Sequence, residues 1–286
     1  MFRHPIRVGV RLLGFLAVSA AALIDYLCRV AGRRGAAPYR LRAEWSQRWA
    51  RRFLRALGVS TTWIGSRPEN GVLVCNHLSY LDIVVLAAAT PAIFVSKREV
   101  KYWPIIGWLA SCGGTLFINR RARADVLVLN QAFAPVIEQG VALVLFPEGT
   151  SSDGREVLKF HSALLEPVAQ RAWPVSAAWI GYSLTDGSAA KEACYWGDMT
   201  FAPHFLNLLS KESIAATVAY SPPPRPGLDR KQLARVLREQ VCAMAAIHAE
   251  RAGPGAVAER PPRATDPLSP GRGNLDALTI RGLPTD

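Results

Sequence analysis

The chain of 286 residues is long enough for one large domain or two modest ones, and half of its residues are hydrophobic, so it can bury a substantial core. Its net charge of +12 is concentrated: residues 1–57 hold twelve arginines against two acids, Asp25 and Glu44. Five scattered cysteines (Cys28, Cys75, Cys112, Cys194, Cys242) form no CxxC pair and no Cys/His cluster at ligand spacing, which excludes a disulfide scaffold, argues against a metal site, and reads as reduced thiols of a cytosolic compartment.

A concentrated basic N-terminus points to a polyanion, either a nucleic acid or an anionic membrane face. Leu12 to Ile24 is thirteen residues without a charge, flanked by Arg3, Arg7 and Arg11 before and by Arg29, Arg33 and Arg34 after. A spanning helix needs about 20 apolar residues. Extending the run to Val8–Cys28 reaches that length by taking in Arg11 and Asp25 near its ends, where Arg11 can snorkel. A retained membrane anchor is the favoured reading. A signal peptide cleaved near Ala20-Ala21-Ala22 and a buried core helix are its rivals, and the dense arginines just downstream argue against export.

Residues 39–57 follow with Leu41, Trp45, Trp49, Phe53 and Leu57 at every fourth position, one stripe on a helix, and with Arg42, Arg48, Arg51, Arg52 and Arg55 around it. That composition suits a helix lying in a bilayer interface, and equally a helix packed on the protein's own core with a solvated basic face. Nucleic acid is disfavoured, because the aromatics sit on the apolar stripe and are not interleaved with polar base-reading groups.

From residue 71 the pattern changes to short apolar runs separated by helical stretches. Val72–Cys75, Ala92–Val95, Thr115–Ile118, Val141–Phe146, Val175–Ile180 and Ile214–Tyr220 predict strands. Ala124–Gln139 and Leu228–Glu250 predict helices from their spacing of large apolar residues, the first ended by Gly140. Strands alternating with helices predict an α/β fold with a mainly parallel sheet flanked by helices, preceded by an N-terminal membrane-associated helical segment. The expected organisation is an anchor over residues 1–64, a main α/β domain over 65–252, and a disordered tail rich in Pro, Gly and Arg over 253–286.

Three polar clusters follow buried strands, where an active site on an α/β sheet is expected. The first is Asn76-His77-Leu78-Ser79-Tyr80-Leu81-Asp82. A histidine is suited to taking a proton near neutral pH, and a carboxylate about one helical turn away can hold its imidazole in one tautomer. The second ends in Asn119-Arg120, with Arg121 and Arg123 beside it, and offers a planar fork to a phosphate. The third, Phe146-Pro147-Glu148-Gly149-Thr150, has a glycine that lets backbone N–H groups approach an anion. Each pattern is common by itself. No GxSxG elbow, GxxxxGK[ST] loop or GxGxxG turn is present, so neither a covalent serine enzyme nor a nucleotide enzyme is signalled.

In order and spacing the clusters resemble the glycerolipid acyltransferase family, whose bacterial members include 1-acyl-sn-glycerol-3-phosphate acyltransferases. The stretch Asn76–Asp82 resembles that family's NHxSxxD block, Gly113–Arg120 its block ending FIxR, and Phe146–Gly154 its FPEGTRS block. The resemblance implies that His77 is the general base and Asp82 its orienting partner. It implies that Arg120, Glu148, Gly149 and Thr150 bind the substrate. No metal or prosthetic group is implied: the partners are a lysolipid acceptor, acyl-CoA or acyl carrier protein as thioester donor, and the cytoplasmic face of the inner membrane.

Lysophosphatidic acid is the first expected acceptor, because Arg120 and its neighbours suit a phosphate. Ser151 stands where many phosphatidic-acid-forming members carry Arg. The stretches Leu158–Leu165, with His161 as a further polar candidate, and Tyr195–Met199 resemble a subgroup that includes lyso-ornithine lipid acyltransferases.

Overall fold

The computed structural model describes residues 4–32, 38–118 and 126–252. In chain order the helices are α1 (Pro5–Tyr26, continuing in a wider turn over Leu27–Ala31), α2 (Pro38–Leu57), α3 (Leu81–Ala89), α4 (Ile106–Cys112), α5 (Val126–Glu138), α6 (Glu166–Arg171), α7 (Ala189–Glu192), α8 (Phe201–Ser210) and α9 (Arg230–Ala252). The strands are β1 (Val59–Ile64), β2 (Val72–Cys75), β3 (Ala92–Lys97), β4 (Leu116–Ile118), β5 (Ala142–Leu145), β6 (Val175–Leu184) and β7 (Ile214–Tyr220). They form one sheet in the order β1-β7-β6-β2-β5-β3-β4. Every pairing is parallel except β6 with β7, so β1 and β7 run against the other five. The mainly parallel α/β architecture expected from the sequence is the one observed.

β2 and β5, at the centre of the sheet, are apolar at every position because both faces are covered. Alternation still decides which layer each residue joins. Leu73 and Cys75 of β2, Val144 of β5 and Ile180 of β6 pack with α1, α2, α3 and α8. Val72 and Val74, Leu143 and Leu145, and Ala177 pack on the other face with α5, α6 and α9. Phe133 of α5 and Leu237 of α9, fully buried, anchor that second layer.

The strand predictions hold at their cores, with differences at the ends. β6 runs on to Leu184, four residues beyond the expected strand, because Gly181 to Leu184 pair with Ile214 to Thr217 of β7. One strand is additional: β1, within the stretch expected to form a separate anchor, is hydrogen-bonded along β7. The expected start of the helix at residue 124, Arg120 with Arg121 and Arg123, and the tail 253–286 lie outside the described residues.

The apolar stripe of α2 is turned to the protein's own core rather than to a bilayer. Trp45, Trp49, Phe53 and Leu57 are all buried, while Arg48, Arg51, Arg52 and Arg55 are exposed on the opposite side. Arg51 Nε donates to the carbonyl of Ala88 at 3.0 Å, satisfying an end of α3.

Helix α1 buries Val8, Phe15, Ser19 and Ala22 along one narrow stripe. It leaves Ile6, Val10, Leu13, Ile24 and Leu27 exposed. Among the described residues it is the one helix, with its continuation to Ala31, that is long and apolar enough to cross a membrane. Its inner stripe is nonetheless docked: Phe15 packs on Phe53 of α2 and Phe205 of α8, with ring centroids 5.5 and 5.0 Å apart.

Candidate active site

The site lies at the C-terminal ends of β2 and β5, neighbours in the sheet. The chain leaves β2 at Cys75, turns through residues 76–80 and enters α3 at Leu81. Asn76 closes this turn onto the sheet: its Nδ2 donates to the Ile180 carbonyl at 2.9 Å and its Oδ1 accepts from the Ile180 N–H at 2.8 Å. Asp82, in the first turn of α3, is fully buried. Its Oδ2 accepts from the backbone N–H groups of Leu78 at 2.7 Å and Ser79 at 3.0 Å. The loop thus folds back on the carboxylate, and this is what brings residues five apart into contact.

The same oxygen lies 2.7 Å from His77 Nδ1. A carboxylate already accepting two N–H bonds is an acceptor here, so Nδ1 carries a proton, and in the neutral imidazole it is Nε2 that holds the lone pair. The imidazole stacks on Phe146, with centroids 4.2 Å apart and planes inclined by 23°. Its side chain retains 22 % exposure, against none for Asp82. Among the described residues, His77 therefore has one nitrogen tied down and one without a hydrogen-bond partner.

His77 lines a mostly apolar cavity of about 330 Å³. Trp45, Trp49 and Phe53 of α2, Phe15 of α1, and Leu81 and Val84 of α3 form its apolar wall. Gly149, Thr150 and Ser151 line it too, together with Lys97 at the end of β3. The stripe that in sequence suits either a membrane face or the protein's own core is thus the wall of a cavity beside the histidine.

The predicted residues divide into two groups. His77, Gly149 and Thr150 meet at the cavity; Asp82 and Glu148 stand behind it. Glu148 is 3 % exposed, and its Oε2 accepts from the His77 backbone N–H at 3.4 Å. Burial pushes its carboxyl up to about 7, against the pull of the His77 and Leu158 backbone N–H groups. Gly149 has φ of +77°, a left-handed turn that a side chain would strain. His161 is exposed and outside the cavity lining; its backbone N–H donates to the Pro147 carbonyl at 2.8 Å. Arg120 lies outside the described residues.

Sequence reasoning missed two groups. Lys97 ends a strand predicted to stop at Val95. Tyr182 lies beyond the predicted end of β6, and its hydroxyl donates to Asp82 Oδ1 at 2.6 Å. Its partner is 100 positions away, so no local pattern marks it.

A buried carboxylate, an imidazole with one nitrogen unpartnered among the described residues and an apolar cavity beside it are groups suited to activating a hydroxyl on an apolar substrate. The comparisons make the class specific. The acyltransferase family model matches residues 63–181. The lyso-ornithine lipid O-acyltransferase of Pseudomonas aeruginosa is 35% identical over 237 residues, covering 82% of this chain and 90% of that protein. A 1-acyl-sn-glycerol-3-phosphate acyltransferase of Neisseria gonorrhoeae is 34% identical over 145 residues, 50% of this chain and 57% of that one. The crystal structure of the 1-acyl-sn-glycerophosphate (LPA) acyltransferase of Thermotoga maritima shares the fold, with a TM-score of 0.58 at 17% identity over 84% of this chain and 98% of that one. The chain belongs to the glycerolipid acyltransferase family, and it is an acyltransferase of the lysolipid type.

Proposed function

We propose that the protein moves a fatty acyl group from a thioester, acyl-CoA or acyl carrier protein, to the free hydroxyl of a lysolipid at the cytoplasmic face of the inner membrane. The observation that carries this reading is the 2.7 Å contact between His77 Nδ1 and Asp82, which leaves Nε2 as the base on a residue lining an apolar cavity. His77 Nε2 takes the hydroxyl proton as the oxygen attacks the thioester carbonyl. The tetrahedral intermediate then collapses, the carbon–sulfur bond breaks, and the thiolate recovers a proton from the imidazolium. No acyl-enzyme forms, and no cofactor takes part. Asp82 holds the tautomer and offsets the transient charge on His77.

In this reading the apolar cavity takes an acyl chain. Thr150 and the Gly149 turn face the acceptor headgroup, Glu148 holds the loop beneath them, and Arg120 is assigned to the headgroup by the resemblance of its motif alone. Helix α1, with its exposed apolar face, and the arginines of α2 support attachment to an anionic lipid surface.

As acceptor we favour lyso-ornithine lipid. The Pseudomonas aeruginosa relative aligns along nearly its whole length, and Ser151 leaves the third motif one cation short for a phosphate. Lysophosphatidic acid, ranked first on the motifs alone, remains the second reading. Arg120, Lys97 beside the cavity and the Neisseria relative favour it.

The test is an acyl-transfer assay in detergent with the two lysolipids as competing acceptors and each thioester as donor. His77→Ala is expected to lose at least ~100-fold of turnover. Full turnover in a folded His77→Ala protein would remove the base assignment, and a preference for lysophosphatidic acid would reverse the acceptor assignment. Vesicle binding without thiol release would instead leave a non-catalytic lipid-binding protein.

A further inference from the structure

Asp82 has two oxygens, and they are held by different parts of the chain. Oδ2 accepts from Leu78, Ser79 and His77, all within five residues. Among the described residues, the donor to Oδ1 is the hydroxyl of Tyr182 on β6, at 2.6 Å. Tyr182 is set by the sheet, in antiparallel register with Ala216 of β7. It lies one residue beyond the stretch matched by the family model and outside all three motif blocks. Besides the Asn76–Ile180 bonds that fix the start of the turn, β6 therefore reaches the carboxylate that holds the histidine through this hydroxyl.

We infer that Tyr182 is a positioning residue for acyl transfer: by fixing Asp82 Oδ1 it keeps Oδ2 turned to His77 Nδ1, and so keeps Nε2 aimed at the acceptor hydroxyl. This rests on His77 being the base. A carboxylate turns about a soft terminal torsion. With Oδ1 unpaired in a buried site, it would rotate toward another donor or draw in water. A hydroxyl donating to a carboxylate at this distance is a charge-assisted bond, of the stronger kind. Tyr182 also stays a donor at any working pH: burial, and then the negative charge of Asp82, hold its hydroxyl well above the ordinary tyrosine range.

The test compares kinetics with the state of the imidazole. Tyr182→Phe keeps the ring and removes the hydroxyl. It is expected to lower kcat by about 10-fold, to leave KM for donor and acceptor unchanged, and to shift the NMR resonance of the His77 Nδ1 proton. Wild-type kcat with an unmoved resonance would overturn the inference, even if the thermal midpoint fell, because a purely structural bond affects only stability. Should Tyr182→Phe fail to fold, a fluorinated tyrosine of more acidic hydroxyl replaces it. Turnover and the Nδ1 resonance should then change with donor strength, and constancy of both overturns the proposal. His77→Ala separates the two levels. Activity retained there removes the base assignment, whereas an inactive His77→Ala with an unaffected Tyr182→Phe removes the role of Tyr182 alone.

Discussion

Asn76 and Ile180 exchange two hydrogen bonds, at 2.9 and 2.8 Å, in which a side-chain amide stands in for the next rung of a sheet. The β2–β6 ladder ends at Cys75 paired with Ala178, and the backbone then leaves the sheet to form the histidine turn. The amide supplies one donor and one acceptor at this exit, so the turn starts from a fixed point and both polar groups of a buried residue are satisfied. Asn76→Leu is expected to strand the Ile180 N–H and carbonyl. It should lower unfolding free energy by about 2–3 kcal/mol, measured by denaturant titration, and lower turnover with it. Unchanged stability would mean that the amide is dispensable.

Glu148 sets a stability that depends on pH. Its carboxyl, ordinarily near 4.5, is raised to about 7 by burial. Between these values the folded protein keeps a proton that the unfolded chain has released, so this group's contribution falls as pH rises through the window. The full difference is on the order of 3 kcal/mol. Glu148→Gln, which cannot ionise, is expected to gain stability relative to the wild type between pH 5 and pH 8. Parallel pH–stability curves for the two proteins would contradict this.

Arg7 and Arg11 tie α1 to the end of α8. Arg7 Nη1 donates to the Ser210 carbonyl at 3.0 Å, and Arg11 donates to Lys211 at 2.6 Å and Glu212 at 3.2 Å. Cations are favourable there, since the last carbonyls of a helix lack intrahelical partners. Gly58 makes room for this arrangement: it turns at φ of +71°, and a Cβ on it would collide with the Arg11 guanidinium. The double change Arg7→Ala, Arg11→Ala is expected to loosen α1, seen as faster limited proteolysis between α1 and α2. Gly58→Ala should produce the same pattern through the displaced Arg11.

Phe53 joins the cavity wall to the N-terminal helix, since its ring meets Phe15 and both line the cavity. Phe53→Leu enlarges the cavity at a cost of about 1 kcal/mol. It is expected to shift donor preference toward longer or bulkier acyl chains, measured as the ratio of kcat/KM for a series of thioesters. An unchanged ratio would place the acyl chain elsewhere.

Much of the fold is legible in the chain because buried strands announce themselves. Val72–Cys75 and Ile214–Tyr220 are short apolar runs with clear ends, and they form β2 and β7 at those bounds. β1 is hidden because it is an edge strand: Ser60 and Thr62 are exposed, and Val59 alone in it is buried. Leu81–Ala89 carries no helical period, since seven of its nine residues are buried and little of its surface needs to be polar. The helix at 38–57 is evident, but not what covers it, because a bilayer and a protein core demand the same apolar stripe.

By itself, the sequence determined the α/β order of elements and pointed to His77 and Asp82 as a pair, because residue type and spacing along a strand exit are local properties. The tertiary structure decided what those residues work with. It set the α2 aromatics beside His77 as a cavity wall, moved Glu148 behind the turn, and brought the Tyr182 hydroxyl across 100 residues to Asp82. Those relations depend on sheet register and helix docking, which arise from the summed packing of distant segments, so no local run of residues specifies them.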